Sequence, residues 1–428
     1  MYIHERDNWE FFRWDDKRLT LLLEDVTREQ GRLFGRLSGL GFDSQLRTVA
    51  ENLTHDVVYS SEIEGIRLNA DEVRSSIARR LGIENVRKIA PSHYIDAVVS
   101  VMLEAMEHYD LKLDEKKLCA WHAAFFPMGF SEGSRVEVGR YRSNEEHIVS
   151  GFLGRERIHY IAPSPERVPS EMEKFLKWYN SEQPVSYVIR SAIAHFWFVS
   201  IHPFEDGNGR LARIISDMML ARGDKSRMRF YNISSQINCD KNHYYKVLEQ
   251  MQRGDGDITD WLEWYMKTLL SAIREAEIAV SSVLNKNAFW QRIAGISLSE
   301  RQIEMLNLFL DGYEAKITSK NWASLAKCSK DTAIRDIQNM VQKGILREEI
   351  PGAKRPSYAI CFTENAIVSS SLFTNVKVEE KTHGHYLSAT YKGTKTVRER
   401  LLGLDAERLS NGEINAEQLL EKYFCYLL

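Results

Sequence analysis

The sequence lacks the features that mark a secreted or membrane-spanning protein. Its five cysteines lie far apart and form no Cys-x-x-Cys pair, which argues against a disulfide framework and against a zinc ribbon. No window holds the roughly 18 apolar residues that a membrane-spanning helix needs. The first residues also lack the basic and apolar segments of a signal peptide. We therefore expect a cytoplasmic protein in a reducing compartment.

An excess of charge of either sign is absent as well. The formal net charge is −3 and 43% of the residues are hydrophobic, which is the composition of an ordinary globular protein. Composition alone therefore names no partner. At roughly 150 residues per domain, the 428 residues predict about three domains.

What the sequence does contain, over its first two thirds, is helical spacing of apolar residues. The predicted helices cover Asp16–Leu37, 44–65, Ser92–Tyr109, Leu113–Phe126, Ser170–Asn180, Pro184–Ser200, Leu211–Arg222, Lys241–Arg253 and Asp260–Asn285. Within residues 139–163, the runs HIVSGF and RIHYIAP instead show an alternating pattern of side chains. They are rich in β-branched and aromatic residues and flank glycines, which predicts a hairpin. The pattern indicates a mainly α fold with one β-hairpin.

Four regions follow from these patterns. Residues 1–88 form an N-terminal helical region and residues 89–285 a helical core. Residues 297–362 contain three short helices followed by two strand-like runs around a Pro/Gly turn, which is typical of a winged helix-turn-helix. Residues 363–428 hold strand-like runs and two polar helices, and we predict no role for this extension.

The segment HPFEDGNGRLAR, from His202 to Arg213, joins two predicted helices. Gly207, Asn208 and Gly209 stand where the second helix begins, so their N–H groups lack intrahelical partners and can bind an anion. Arg210 and Arg213 lie three residues apart on one helical face, which suits contacts with successive phosphates. The spacing therefore predicts a triphosphate site.

Two further residues of this segment add chemistry. Asp206 offers a hard carboxylate of the kind that Mg²⁺ uses when it bridges phosphates. His202, with an ordinary pKa of about 6.5, can accept a proton from an attacking hydroxyl. A loop histidine or a Gly-Asn-Gly turn alone is more often structural, so the prediction rests on their coincidence.

This segment resembles the Fic-domain motif HPFx[D/E]GNGRxxR at every defined position, and the similarity extends over about residues 89–280, including GRYRS at 139–143. The resemblance implies an all-helical fold with one hairpin and transfer of AMP from ATP, with Mg²⁺, to a Ser, Thr or Tyr hydroxyl of a protein, including the enzyme itself. It implies these roles: catalytic residues His202, Asn208 and Arg210, with His202 as base; Mg²⁺ ligand Asp206; anion hole Gly207, Asn208 and Gly209; phosphate ligands Arg210 and Arg213.

Other positions of the resemblance concern the nucleotide and the target. Phe204 matches a buried anchor, which we expect to fix the loop more than to contact nucleotide, and Glu205 occupies a variable position where we expect a solvated side chain. Tyr244, Tyr245 and Gln252 match the nucleoside pocket, although Gln252 stands where many relatives have Asn. For two adjacent tyrosines a core position is equally compatible with the sequence.

The hairpin at 147–163 is similar to the family's flap, which would hold a target segment as an added strand. An ordinary surface hairpin is the alternative.

The stretch SSEIEG resembles the family's inhibitory motif [S/T]xxxE[G/N], with Ser60, Glu64 and Gly65 at the matching positions. The resemblance implies that Glu64 pairs with Arg213 and blocks productive binding of the γ-phosphate. The same carboxylate could position water to remove AMP from a modified hydroxyl. The sequence leaves the direction of the net reaction open.

Two other functions compete with this one. The chain could be a DNA-binding regulator, with Lys330, Thr332 and Arg335 on a recognition helix and Lys354 and Arg355 at the wing tip. A winged helix also serves protein contacts and homodimer formation. A two-metal phosphohydrolase is disfavoured because the motif supplies one carboxylate, and we interpret the distant His383-Gly384-His385 as a strand pattern.

Overall fold

The computed structural model describes residues 1–83, 89–131, 134–150, 157–310, 313, 315–350, 352–353, 355–362, 373–381, 384–391 and 395–400. The chain divides into two compact units, Met1–Leu284 and Asn285–Leu428. None of the helices in the described part of the chain is both long and apolar enough to cross a membrane.

The first unit is helical, as predicted. Its α-helices are α1 (Asp16–Leu37), α2 (Phe42–Ile63), α3 (Ala70–Leu81), α4 (His93–Glu107), α5 (Glu115–Phe125), α6 (Val168–Tyr179), α7 (Tyr187–Ile201), α8 (Asn208–Asp224), α9 (Ile233–Cys239), α10 (Lys241–Gln252) and the part of α11 (Thr259–Arg292) up to Leu284. Short 3₁₀ turns lie at Ile3–Glu5 and Pro165–Arg167. The prediction of a mainly helical fold is confirmed.

Helix α7 forms the centre of this unit. Thirteen of its fifteen residues are buried, and a helix that is buried all round must be covered on every side. Apolar residues of α1 and α2, such as Val26 and Val57, belong to the same hydrophobic cluster as Phe196 of α7. Residues 1–88 and the core predicted from residue 89 therefore share one interior, because the apolar faces of the N-terminal helices close it.

Two helices of the first unit, α3 and α9, are absent from the sequence-based prediction. α3 has only a narrow apolar stripe, and its bounds are set by polar caps: the Asn69 side chain accepts the N–H groups of Asp71 and Glu72, and Gly82 adopts a left-handed conformation after the last turn.

Two small antiparallel ladders complete the first unit. Strands β1 (Phe130–Ser131) and β2 (Ser134–Arg135) form a ladder that the sequence did not indicate. Strands β3 (His147–Ser150) and β4 (Arg157–Ile161) form the predicted hairpin, with a register shift between Ile148 and Val149. The connecting residues 151–156 lie outside the described part of the chain.

The second unit contains α12 (Glu300–Leu310), α13 (Ser319–Leu325) and α14 (Lys330–Gln342), followed by the antiparallel pair β5 (Leu346–Glu348) and β6 (Tyr358–Ile360). Trp322 and Ile337 are in its separate hydrophobic cluster. This is the element order predicted for residues 297–362, and its assignment as a winged helix stays a prediction.

Beyond it, β7 (Phe373–Lys381), β8 (Gly384–Tyr391) and β9 (Lys395–Arg400) form a three-stranded antiparallel sheet. His385 lies in β8, whereas His383 and the two polar helices predicted after residue 400 lie outside the described residues.

Candidate active site

The segment His202–Arg213 forms the turn from α7 into α8. His202 ends α7 in a left-handed conformation, with φ 51° and ψ 61°. Gly207 precedes α8 with φ +79°, and a Cβ atom there would lie 3.1 Å from the ring of Phe126. A side chain at Gly207 would therefore be strained in its backbone and crowded by Phe126, which explains why glycine begins the helix.

The turn is anchored from inside the protein. The Phe204 ring is fully buried and stacks on the ring of His122, with centroids 4.2 Å apart and planes 11° from parallel. The Asn208 side chain accepts the Phe204 N–H (3.0 Å) and donates to the Phe204 carbonyl (2.7 Å). This geometry favours the anchoring role for Phe204 over contact with a nucleotide.

The ring nitrogens of His202 are distinguishable. Nδ1 lies 3.2 Å from the carbonyl oxygen of Val199, which can only accept a hydrogen bond, so Nδ1 carries the proton and Nε2 keeps its lone pair. Burial lowers the pKa of His202 to about 4, because the imidazolium form loses solvation. His202 is therefore neutral at physiological pH and has a nitrogen available to accept a proton.

The two acids of the motif have different partners. Asp206 accepts hydrogen bonds from the Gly207 N–H (2.5 Å) and the Ser131 hydroxyl, and its side chain keeps 38% exposure. Glu205 was expected to be solvated, but its carboxylate accepts the Glu137 N–H (2.7 Å) and an N–H of the Asn144 side chain (3.0 Å). Glu205 is half-buried and links the turn to the loop before β3, whereas Asp206 keeps a partly exposed carboxylate beside Arg210.

Arg210 is almost completely buried, with 2% exposure. Its Nη1 donates to the Tyr94 hydroxyl (2.6 Å), and its guanidinium lies 5.0 and 5.1 Å from the ring centroids of Phe125 and Phe126. Its Nε and Nη2 have no hydrogen-bond partner in the described structure, and Nη2 is 3.8 Å from Asp206. Buried donors of a charged group are costly when unpaired, so Arg210 is suited to an anion.

Arg213 lies one turn further along α8 and is 1% exposed. Its Nε donates to the Ser60 hydroxyl (2.8 Å), and its Nη2 donates to the Ser60 carbonyl (2.8 Å) and to Glu64 Oε1 (2.7 Å). Burial alone would lower the pKa of Arg213, but the charge of Glu64 and its hydrogen bond raise it above the ordinary value. The structure thus brings the predicted pair Glu64 and Arg213 into contact.

The position of Glu64 follows from the end of α2. Glu64 is the residue directly after the last helical turn, and Gly65 follows with φ +82°, which favours glycine. The Glu64 carboxylate also covers the start of α8, because a Cβ atom at Gly209 would lie 2.1 Å from its Oε1. Glu64 therefore occupies space beside the unpaired N–H groups at which an anion would bind.

The three residues predicted for the nucleoside pocket differ in burial. Tyr244 is 2% exposed, and its hydroxyl lies 2.9 Å from His195 Nε2, so its ring belongs to the core. Gln252 is also buried and donates to the Ser200 hydroxyl (3.3 Å). Tyr245 is 41% exposed and donates to the carbonyl of Ile63 (3.3 Å), which makes it the one of the three with surface available to a base.

Sequence reasoning assigned no role to Arg142, which the structure places under the turn. Its guanidinium donates to the carbonyl oxygens of His202 (2.8 Å), Asn144 (2.8 Å) and Pro163 (2.5 Å). It lies in the GRYRS segment, whose similarity to the family core was the only available signal. Tyr94 was missed too, since more than a hundred residues separate it from Arg210 and no local pattern connects them.

The predicted flap is fixed to α10 through Glu249. This carboxylate contacts His159 Nδ1 (2.6 Å) and Arg157 Nη2 (2.9 Å), both on β4. Val149 and Ile158 face each other across the ladder and are 47% and 41% exposed. The hairpin thus has a fixed strand and an exposed apolar pair.

Comparison with known proteins agrees with this geometry. Residues 112–220 match the family described as Fic/DOC, and residues 2–83 match DUF4172, a domain of unknown function. The chain is 32% identical over 244 residues to the protein adenylyltransferase Fic of Nematostella vectensis. This alignment covers 55% of this chain and 51% of that protein. It is 25% identical over 235 residues to a probable protein adenylyltransferase of Aquifex aeolicus, covering 53% of this chain and 68% of that protein.

Among solved structures, a Fic family protein from Desulfovibrio desulfuricans G20 aligns with a TM-score of 0.48 and 22% identity, over 79% of this chain and 96% of that one. This chain spans about half the length of the Nematostella relative that it matches. The match at residues 112–220 includes the whole turn from His202 to Arg213, and the chain therefore carries a domain of the Fic/DOC family.

Proposed function

We propose that this chain is an autoinhibited protein adenylyltransferase that transfers AMP from ATP to a Ser, Thr or Tyr hydroxyl of a protein, including its own. The observation that carries the proposal is the pair of buried arginines at the start of α8, Arg210 and Arg213, with three guanidinium nitrogens that have no hydrogen-bond partner in the described structure. Relatives from Nematostella vectensis and Caenorhabditis elegans are named protein adenylyltransferases, and one from Aquifex aeolicus is named a probable one, which supports the same reaction.

The start of α8 is suited to a polyphosphate. The N–H groups of Asn208, Gly209 and Arg210 are the first three of the helix and have no intrahelical acceptor, and the helix dipole adds partial positive charge there. Arg210 and Arg213 would bind the outer phosphates from the same face. Together these groups would hold ATP with its α-phosphorus near the turn.

His202 would act as the general base. Its Nε2 takes the proton of the acceptor hydroxyl, whose oxygen forms a bond to the α-phosphorus of ATP while the bond from this phosphorus to the bridging oxygen of pyrophosphate breaks. The products are the AMP-modified hydroxyl and pyrophosphate. Since burial keeps the pKa of His202 near 4, the base is available without prior deprotonation at neutral pH.

Asp206 would be the protein ligand of Mg²⁺. Its carboxylate is partly exposed beside Arg210, and the described residues offer no group of three or more His, Cys, Asp or Glu side chains for a metal. One carboxylate fits Mg²⁺, which takes its other ligands from phosphate and water. When bound, Mg²⁺ would neutralise charge on the phosphates.

Glu64 would be the inhibitory group. Its carboxylate takes a donor of Arg213 and lies against Gly209, so it competes with a phosphate for both charge and space. It belongs to the region matched as a domain of unknown function, to which we assign this inhibitory role.

The intact mass of the protein after incubation with ATP and Mg²⁺ tests the proposal. We expect Glu64→Gly to gain the mass of AMP, and Glu64→Gly/His202→Ala to gain none. A Glu62→Gly variant is the matched control, because Glu62 lies in the last turn of α2 and its carboxylate accepts a hydrogen bond from Asn238 instead of Arg213. If Glu64→Gly acquires no AMP on itself or on proteins of its host lysate, the adenylyltransferase proposal fails.

Removal of AMP is a second candidate for the same site. The Glu64 side chain keeps 27% exposure beside the start of α8, so its carboxylate can contact both solvent and a bound phosphate. We expect wild type, but not Glu64→Gly, to remove AMP from Glu64→Gly/His202→Ala protein that Glu64→Gly has first modified in trans. An unchanged mass in both reactions would leave transfer as the activity of the site.

The second unit offers a different candidate function, DNA binding. Lys330 and Arg335 on α14 and Arg355 before β6 are exposed, which supports contact with phosphates. We expect an affinity for duplex DNA that falls steeply with salt and is weakened by Lys330→Glu. An affinity that is independent of salt would exclude this mode of binding.

A further inference from the structure

A cavity of about 500 Å³ lies in the first unit between the N-terminal segment, α6 and α7. Its volume is within the range of small-molecule sites, roughly 300–1,000 Å³. Most of its wall is aromatic or apolar, with Phe11, Phe12, Trp14, Trp178, Ile193 and Trp197. No residue of the turn His202–Arg213 lines it, so it is separate from the candidate active site.

One cationic residue of the wall, Arg190, lacks a counter-charge. It is 3% exposed, and no carboxylate in the described structure lies within ion-pair distance of it. Its Nη2 donates to the carbonyl oxygens of Tyr179 (3.2 Å) and Ser181 (2.8 Å), and its Nε has no hydrogen-bond partner. Its guanidinium lies 5.0 and 5.9 Å from the ring centroids of Tyr187 and Trp178, which are neutral contacts. A buried charge normally has an ionic partner, so this arginine is the feature of the cavity that calls for an anion.

The remaining polar groups of the wall also favour binding of an anion. Lys177, on the rim, is exposed and contacts no carboxylate in the described part of the chain. The charge of Lys174 is balanced by the Glu10 carboxylate, 3.3 Å away. Lys177 and Arg190 therefore leave the cavity with an uncompensated positive charge. The buried Trp197 Nε1 is a further donor without a partner.

We propose that this cavity binds a small molecule with a planar aromatic body and a carboxylate. Aromatic side chains bind a planar ring by stacking and edge contacts. The tryptophans present two orientations for this, since the rings of Trp178 and Trp197 lie 5.5 Å apart at 56°. The carboxylate would pair with Arg190 after a small side-chain adjustment, with Lys177 at the entrance. Phe11, 73% exposed on the rim, would lose solvent contact when the ligand enters.

This site gives a binding role to the N-terminal segment Glu10–Trp14, which belongs to the region matched as a domain of unknown function and supplies one wall. The proposal does not depend on adenylyltransferase activity, because none of its residues belongs to the turn or to the Glu64 contact.

Isothermal titration of the full chain with two acid and amide pairs tests the proposal: indole-3-acetate with indole-3-acetamide, and phenylacetate with phenylacetamide. We expect at least one acid to bind one site per chain about tenfold or more tightly than its amide, as a charge-assisted pair with Arg190 requires. Equal affinities of acid and amide would overturn the assignment of an anion. The absence of binding by both acids at about 10 mM, weaker than any functional site of this size, would overturn the site itself.

Two exposed lysines make a matched pair of variants. Lys177→Glu reverses the charge at the entrance, and we expect it to weaken acid binding about fivefold or more and amide binding by less than about twofold. Lys116→Glu on α5 makes the same charge change on an exposed residue that does not line the cavity, and it should leave both affinities unchanged. Equal weakening by the two variants would refute local recognition at this cavity.

A third variant tests the location without touching charge. Val185 is half-buried in the wall, and Val185→Phe fills space that the ring of the ligand would occupy. We expect it to weaken the acid and the amide alike by about tenfold, with an unchanged thermal unfolding midpoint. Unchanged binding in this variant would place the ligand elsewhere.

Discussion

Removing the Glu64 carboxylate is expected to increase the rate of AMP transfer. The contact that is lost is one charge-assisted hydrogen bond of 2.7 Å between a buried guanidinium and a carboxylate that is 27% exposed. Such a bond to a charged group is worth about 1.5–3 kcal/mol. Arg213 keeps its two hydrogen bonds to Ser60, so its side chain stays in place. At about 1.4 kcal/mol for each factor of ten, Glu64→Gly should raise the rate of self-modification roughly 10- to 150-fold.

The assay is the initial rate of AMP incorporation, measured by intact mass at saturating ATP and Mg²⁺. Glycine at position 64 should cost little helix stability, because Glu64 follows the last helical turn. Glu62→Gly weakens that turn while leaving the carboxylate, and we expect its rate to stay within about threefold of wild type. An equal increase in Glu62→Gly would show that packing of α2, rather than the Glu64 charge, limits the rate, and would refute the electrostatic account.

The remaining predictions concern the base, the fold and the phosphate site. In the Glu64→Gly background, His202→Ala should reduce the rate of AMP transfer by a factor of about 10² or more. The affinity for ATP, measured by titration calorimetry, should change by less than about threefold. Retained transfer would refute His202 as the base. Because burial lowers the folded-state pKa of His195 to about 3, while an unfolded histidine has its ordinary value of 6.5, the unfolded state binds more protons between these values. The free energy of unfolding should therefore fall as the pH is lowered from 6.5 toward 3, and His195→Gln should make urea unfolding less dependent on pH over this window; an identical slope would contradict the assignment. Tyr94→Phe removes the acceptor of Arg210 and should change the KM for ATP by severalfold with little change in the unfolding midpoint, whereas an unchanged KM would show that this contact does not affect phosphate binding.

The turn from His202 to Arg213 could be predicted from the sequence because its groups are neighbours in the chain. The predicted phosphate-binding N–H groups, arginines and base depend on where one helix ends and the next begins, and the structure ends α7 at His202 and begins α8 at Asn208. The contact between Glu64 and Arg213 joins residues 149 positions apart, and only the family resemblance made it predictable.

Other features depend on packing, which local patterns do not encode. Whether Tyr244 or Tyr245 faces solvent depends on how α10 is rotated against α11. Two adjacent tyrosines in the sequence do not indicate which of them is buried. α3 was missed because its caps, rather than an apolar stripe, define it. The hydrogen bonds of Glu205 could not be predicted, because its partner N–H, from Glu137, is 68 positions away in the chain.

The place of Glu64 at the very end of α2 has a consequence for how the proposed transferase would be activated. Helix ends fray at a lower free energy than any other part of a helix, so the carboxylate can leave Arg213 by local opening of one turn, without separating α2 from the protein. Ser60 lies a full turn deeper and keeps its hold on the arginine throughout. The resting rate of transfer then depends on how often this one carboxylate leaves Arg213, while Ser60 and the turn from His202 to Arg213 stay in place.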